Sequence, residues 1–329
     1  MNKAISIVGA PMWLGQACYG ANLAPAALRA AGLQKRLTAF NQDIIDLGDI
    51  PIAVAGQCEA GEQQVKNLQP IIAASNEIAR CVDRIVASDR FPLVLGGDHS
   101  IAIGTLAGLI GHYDNLGIIW YDAHADINTP ATTPSGNIHG MPLAVAMGSG
   151  HAELLSIGGA GVRIKPENIV YIGVRDIDPG EAAFIDEQQI KLYTAEDVGR
   201  WGMPAIIEQT LAHLAACDGI HLSFDIDGID PLAMPGVGTP AAGGVSYRDS
   251  ILALQLLEQS RAVTSAEFVE LNPVLDKDGQ TTRAVVDLIA AFLGEFTPCG
   301  LQRTAAGRQE QDPACQGYRL TDKFLCSLD

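Results

Sequence analysis

The chain has 329 residues, 48% of them hydrophobic, a length that suits one large α/β domain with a substantial core. Acidic residues outnumber basic ones by 38 to 21, and the resulting formal charge of −17 argues against nucleic acid or an anionic membrane surface as partner, while a small cationic substrate would be tolerated or weakly steered. The seven cysteines are odd in number and lack CxxC spacing, as expected of reduced thiols in a cytoplasm, and no apolar run approaches the roughly 20 residues of a membrane-spanning helix.

In chain order, a β-rich apolar run at residues 4–8 is followed by helical patterns at 25–37 and 63–88. A strand at 91–95 leads to a helix at 101–112, and strands follow at 116–121 and 169–174. A helix at 203–216, a strand at 219–224, a helix at 247–259, a strand at 266–271 and a helix at 281–293 complete the rhythm. Strands alternating with helices predict a three-layer α/β/α architecture with a mostly parallel central sheet covered on both faces. Residues 1–296 are read as one domain. The stretch 297–329 breaks the pattern with Pro298, Gly300, Gly307, Gly317 and the polar run 308–312, and is read as a C-terminal extension.

Ionisable residues concentrate just after strands, where parallel α/β sheets place their ligands. Gly96-Gly97-Asp98-His99-Ser100 follows the third apolar run, Asp122-Ala123-His124-Ala125-Asp126 the next, and Asp225-Ile226-Asp227 the strand at 219–224. In an extended strand end, positions i, i+2 and i+4 point to one side, so Asp122, His124 and Asp126 can converge, as can Asp225 and Asp227. Taken singly, an Asp caps a helix and a His satisfies a local hydrogen bond. Four carboxylates and two imidazoles in one crevice instead require cations to offset repulsion and desolvation. The oxygen-rich, thiolate-free set suits hard or borderline divalent ions such as Mn²⁺ better than a structural zinc site, and six ligands suit two ions about 3.5–4 Å apart. Asp98 and Asp230 fall outside this alternation and are assigned supporting or capping work.

These clusters match the metal motifs of the arginase and agmatinase family of ureohydrolases, which the chain resembles from about residue 5 to 293, with its wording nearest the bacterial arginases. The resemblance includes Gly9-Ala10-Pro11, Gly15-Gln16, Asp46-Leu47-Gly48-Asp49-Ile50-Pro51 and Glu267-Phe268-Val269-Glu270-Leu271-Asn272-Pro273. It implies an arginase-like fold and two Mn²⁺ per subunit, one held by His99, Asp122, Asp126 and Asp225, the other by His124, Asp122, Asp225 and Asp227. It further implies hydrolysis of L-arginine to L-ornithine and urea by a metal-bridging hydroxide. In that scheme Asp126 passes a proton to the departing amine, His139 shuttles protons and Glu270 accepts the guanidinium. Paired hydrogen bonds from a guanidinium edge to a carboxylate are consistent with the last role.

The loop 127–137 resembles the arginase segment that holds the substrate α-carboxylate, which assigns Asn128, Thr133 and Ser135 to that contact. Pro134 stands where a hydroxyl residue is expected. Asp178 and Glu181 match residues contacting the α-amino group, and Thr239 one near the guanidinium. Agmatine lacks the carboxylate, so this loop favours arginine over an agmatinase or other guanidino-compound reading, and the intact ligand set disfavours a non-catalytic binding protein. The family resemblance also implies a homo-oligomer, a trimer or hexamer.

Overall fold

The computed structural model describes residues 4–41, 43–52, 65–159 and 163–295, and residues up to Gly294 cluster as one compact unit. Its sheet comprises β1 (Ile5–Ala10), β2 (Ile44–Asp49), β3 (Phe91–Gly96), β4 (Leu116–Tyr121), β5 (Ile169–Val174), β6 (Lys191–Thr194), β7 (Gly219–Asp225) and β8 (Val263–Val269). The strand order is β2-β1-β3-β8-β7-β4-β5-β6, and every pairing is parallel.

Helices cover both faces, so the inner strands are buried from end to end and read in the sequence as unbroken apolar runs rather than alternating ones. Alternate residues of one strand feed two separate cores. Ile119 and Tyr121 of β4 join one apolar cluster with the helices Ala24–Ala30, Met203–His213, Tyr247–Ser260 and Gln280–Phe292, while Ile118 and Trp120 join the other with Leu68–Ala87 and Ile101–Ile110.

Several sequence expectations need correction. The edge strands β2 and β6 are absent from the apolar pattern because edges lack the two-sided burial that marks a strand: β2 alternates buried and exposed positions, and β6 has four residues. The helix expected at 25–37 is two helices, Ala24–Ala30 and Leu33–Thr38, divided at Gly32, whose φ of 90° a helix cannot contain. The helix expected from 63 starts at Leu68 after left-handed Asn67, and residues 63–64 lie outside the described residues. Strand β8 runs Val263–Val269 and so stops short of Glu270. The helix Pro179–Gln188 lies outside the expected elements, since it buries only Glu181 and Ile185 and so shows little apolar periodicity. The segment 297–329 and Cys58, Cys299, Cys315 and Cys326 lie outside the described residues.

Candidate metal centre

Four neighbouring strands, in the order β3-β8-β7-β4, deliver their C-terminal ends to one rim of the sheet. The turn after β3 presses against the backbone of residue 12, where a Cβ on Gly97 would collide with the Met12 carbonyl oxygen. Asp98, fully buried, holds this turn: it accepts from the amides of Gly15 at 2.8 Å and Ser100 at 2.9 Å and from the Ser100 hydroxyl. Burial, with Glu270 nearby, pushes its carboxyl up to about 6. His99 is thereby set above the rim.

His99 Nδ1 lies 3.1 Å from Asp122 Oδ2, 2.9 Å from Asp126 Oδ2 and 3.1 Å from Asp225 Oδ2, yet it is buried without a hydrogen bond to any of them. His124 Nδ1 lies 3.2 Å from Asp227 Oδ2 and 3.5 Å from Asp122 Oδ1. Two triplets therefore gather ligand atoms within 4.8 Å of one another, His99/Asp122/Asp126 and Asp122/His124/Asp227, with Asp122 common to both. Donor atoms converging on one point without bonding each other are what a cation between them requires, and the oxygen-rich set with two imidazoles suits Mn²⁺.

The electrostatics agree. Burial opposes charge on His99 and His124, but the surrounding carboxylates hold both imidazoles well above their ordinary range. Asp122, despite burial, is held low by His124 and His99, whereas burial and neighbouring carboxylates push Asp126, Asp225 and Asp227 up. Without a cation such a cluster retains protons; metal binding displaces them.

The convergence does not come from a straight strand end, as the spacing predicts. β4 stops at Tyr121, the chain bends through Asp122–His124, and Asp126 has φ 49°, in the left-handed region. The bend is closed by the His124 amide donating to Asp122 Oδ1 at 2.7 Å. Asp225 ends β7, but Asp227 sits in the 3₁₀ turn Ile226–Gly228, its amide donating to Asp225 Oδ1 at 2.7 Å. Asp230 ties a neighbouring loop, accepting from the amides of Leu232, Gly243 and Gly244.

Beside this cluster opens a cleft of about 270 Å³ lined by His124, Asp126 and His139 and by six of the residues matched to substrate contacts, Asn128, Thr133, Ser135, Asp178, Glu181 and Thr239; Glu270, the seventh, is buried and is not among the lining residues. Thr133 Oγ1 accepts from the Gly136 amide at 3.0 Å and Ser135 Oγ from the Asn137 amide at 3.1 Å, which leaves each hydroxyl proton free to donate to a ligand. Pro134 lines the cleft between them. Asn128 Nδ2 donates to Asp178 Oδ2 at 2.9 Å. Glu181, 4% exposed, accepts from the amides of Ile127 and Asp178 at 3.0 Å, tying the loop to the Pro179–Gln188 helix, and burial lifts its carboxyl to about 7. Thr239 Oγ1 donates to Asp227 Oδ2 at 3.0 Å.

Glu270, with φ 66° and 1% exposed, accepts from the His99 amide at 2.7 Å and from Gln16 Nε2 at 2.9 Å. His139 Nδ1 lies 3.5 Å from its Oε1. Burial disfavours charge on His139, but Glu270 raises its pKa to about 9. Four contributors have no role assigned to them by the sequence: Gln16; Trp120, whose Nε1 donates to Asp122 Oδ2 at 2.9 Å; Ser223, 2.8 Å from His99 Nε2; and Asp176, 3.8 Å from His124 Nε2. The available signal for two of them is position, since Trp120 and Ser223 each precede a clustered aspartate by two residues, Asp122 just past the end of β4 and Asp225 at the end of β7.

The sequence profile of the arginase family matches residues 3–294. The arginase of Bacillus subtilis (strain 168) is 51% identical over 295 residues, spanning 90% of this chain and 99% of that protein. Among solved structures, Bacillus caldovelox arginase superposes with a TM-score of 0.87 at 52% identity, covering 90% of this chain and 99% of that one. Entamoeba histolytica arginase in complex with L-ornithine does so at 0.84 and 34% identity, covering 89% of this chain and 100% of that one.

Proposed function

This chain belongs to the arginase family and hydrolyses L-arginine to L-ornithine and urea, and we propose that it does so with two manganese ions held by His99, Asp122, His124, Asp126, Asp225 and Asp227. The observation that carries the reading is His99 Nδ1 ringed by three carboxylate oxygens that it does not bond, next to a second triplet sharing Asp122. When bound, the metals supply Lewis acidity that lowers the pKa of water, giving a nucleophile strong enough for a resonance-stabilised guanidinium.

The protein's own groups bind, orient and move protons. Glu270 is kept in place by Gln16 and the His99 amide and pairs its carboxylate with the guanidinium. The hydroxyls of Thr133 and Ser135, with Asn128, receive the α-carboxylate, while Asp178 and Glu181 face the α-amino group. Thr239, fixed by its bond to Asp227, borders the guanidinium end. As the bond from the guanidinium carbon to the chain nitrogen breaks, Asp126 delivers a proton to that nitrogen, which leaves as the amine of ornithine. His139 carries protons between the cleft and solvent.

The catalytic domain in this reading is residues 1–296, with 297–329 an extension. The enzyme is cytoplasmic, a setting in keeping with the free thiols of Cys18, Cys81 and Cys217, and its assembly is a trimer or hexamer. Among the described residues no helix is long and apolar enough to cross a membrane. The test is urea release by the Mn²⁺-loaded protein from L-arginine and from agmatine, with metal content measured alongside. Arginine strongly preferred and two ions per chain are expected; agmatine preferred, or full activity without metal, would refute the reading.

A further inference from the structure

Behind His99 a chain of buried polar groups runs away from the cleft. His99 Nε2 lies 2.8 Å from Ser223 Oγ, and Ser223 Oγ donates to Glu267 Oε1 at 2.7 Å. His221 stands on the far side, its Nε2 3.5 Å from Glu267 Oε1 and its Nδ1 2.9 Å from Ser265 Oγ. All five side chains are fully buried, and Ser223 and Glu267 are directly paired residues of β7 and β8, so sheet register alone brings them together. None of His221, Glu267 and Ser265 reaches the cleft, and the hydrolytic scheme gives them no task.

A serine hydroxyl has one proton to donate. Because Ser223 commits that proton to the Glu267 carboxylate, it can only accept from His99. In the neutral imidazole that a metal requires, the hydrogen therefore sits on Nε2 and the lone pair on Nδ1, the nitrogen that faces Asp122, Asp126 and Asp225. Were Ser223 released, it could donate to Nε2 instead, which would place the hydrogen on Nδ1 and close that nitrogen to a metal. An ionised carboxylate is the acceptor least able to reverse the arrangement, since it has no proton to give. Burial pushes the Glu267 carboxyl up, but His221, with Nε2 3.5 Å from its Oε1, draws it below the usual range and so favours that form.

We infer that Glu267, acting through Ser223, is a positioning residue that fixes the tautomer and ring orientation of His99 for metal binding. The inference rests on the reading of His99 as a metal ligand. It assigns the His221–Glu267 pair the work of keeping an acceptor-only group in an otherwise apolar sheet interior, two residues removed from the metal.

The test is Mn²⁺ titration by calorimetry of wild type, Glu267→Gln, Ser223→Ala and the double variant, each first checked for a native thermal transition. Glu267→Gln should weaken one of the two Mn²⁺ sites by roughly 10- to 100-fold and leave the other unchanged. Ser223→Ala should weaken the same site, and the double variant should be no weaker than Ser223→Ala alone, because both act along one chain. Should Glu267→Gln not fold, Ser223→Ala by itself must still show the one-site loss. Wild-type affinity at both sites in Glu267→Gln, equal loss at both sites, or losses that multiply in the double variant would overturn the inference. A wild type that binds no Mn²⁺ would instead overturn the metal reading beneath it.

Discussion

The indole of Trp120 lies flat on the imidazole of His99, with ring centroids 4.1 Å apart and planes within 8° of parallel. Trp120 is on β4 and His99 follows β3, two strands that β8 and β7 separate, so the contact closes across the rim behind the His/Asp cluster. The same indole donates to Asp122 Oδ2, so one side chain braces two residues of the cluster that follow different strands. Trp120→Phe keeps a ring against His99 and deletes the donor. A buried hydrogen bond to a carboxylate contributes roughly 1.5–3 kcal/mol, and urea denaturation should show a loss of that order. Unchanged stability would mean that the bond contributes nothing net.

Asp227→Ala removes a carboxylate from the triplet with His124 while leaving His99, Asp122 and Asp126 intact. Metal analysis is expected to find about one ion fewer per chain, with most urea release lost. Two ions retained would contradict the ligand assignment.

His139 contacts Glu270 but no member of the metal triplets in hydrogen-bond range. His139→Asn should keep its metal and lower kcat by roughly 10²- to 10⁴-fold, the usual span for losing a general acid–base group. Turnover equal to wild type would remove the shuttle role.

Burial lifts the carboxyl of Glu181 from an ordinary 4.5 to about 7. A carboxyl raised in the folded state contributes stability that is fully present below pH 4.5 and lost as pH rises through 7. In metal-free protein, the stability of wild type relative to Glu181→Gln should therefore decline across that window, by up to about 1.4 kcal/mol per pH unit. A difference that stays flat from pH 4.5 to 7 would show that Glu181 titrates normally.

Gly97 offers a steric test. Its missing Cβ is replaced by the Met12 carbonyl oxygen, a backbone atom that cannot swing aside. Gly97→Ala should cost at least about 1–3 kcal/mol of stability and, by displacing the next two residues, weaken Mn²⁺ binding. A variant with native melting temperature and native affinity would show that the turn yields without penalty.

The sequence by itself determined the inner strands and which ionisable residues stand at their ends. Residues 116–121 and 169–174 are buried on both faces, so their apolar character is continuous and local, and the strand bounds follow from it. Asp122, His124, Asp126, Asp225 and Asp227 could be read as one charged set because desolvation makes such a concentration untenable without a cation, whatever the exact path of the chain. Tertiary structure decided what depends on distant neighbours. The edge strands β2 and β6 form because β1 and β5 offer them partners, not because their own pattern demands it. The order β3-β8-β7-β4 places Glu270 beside His99, although 171 positions separate them. The left-handed backbones of Asp126 and Glu270 oppose local preference and hold only because surrounding contacts over-determine them. Ser223 and Glu267 acquire each other through the register of β7 on β8, a relationship that no spacing within one strand encodes.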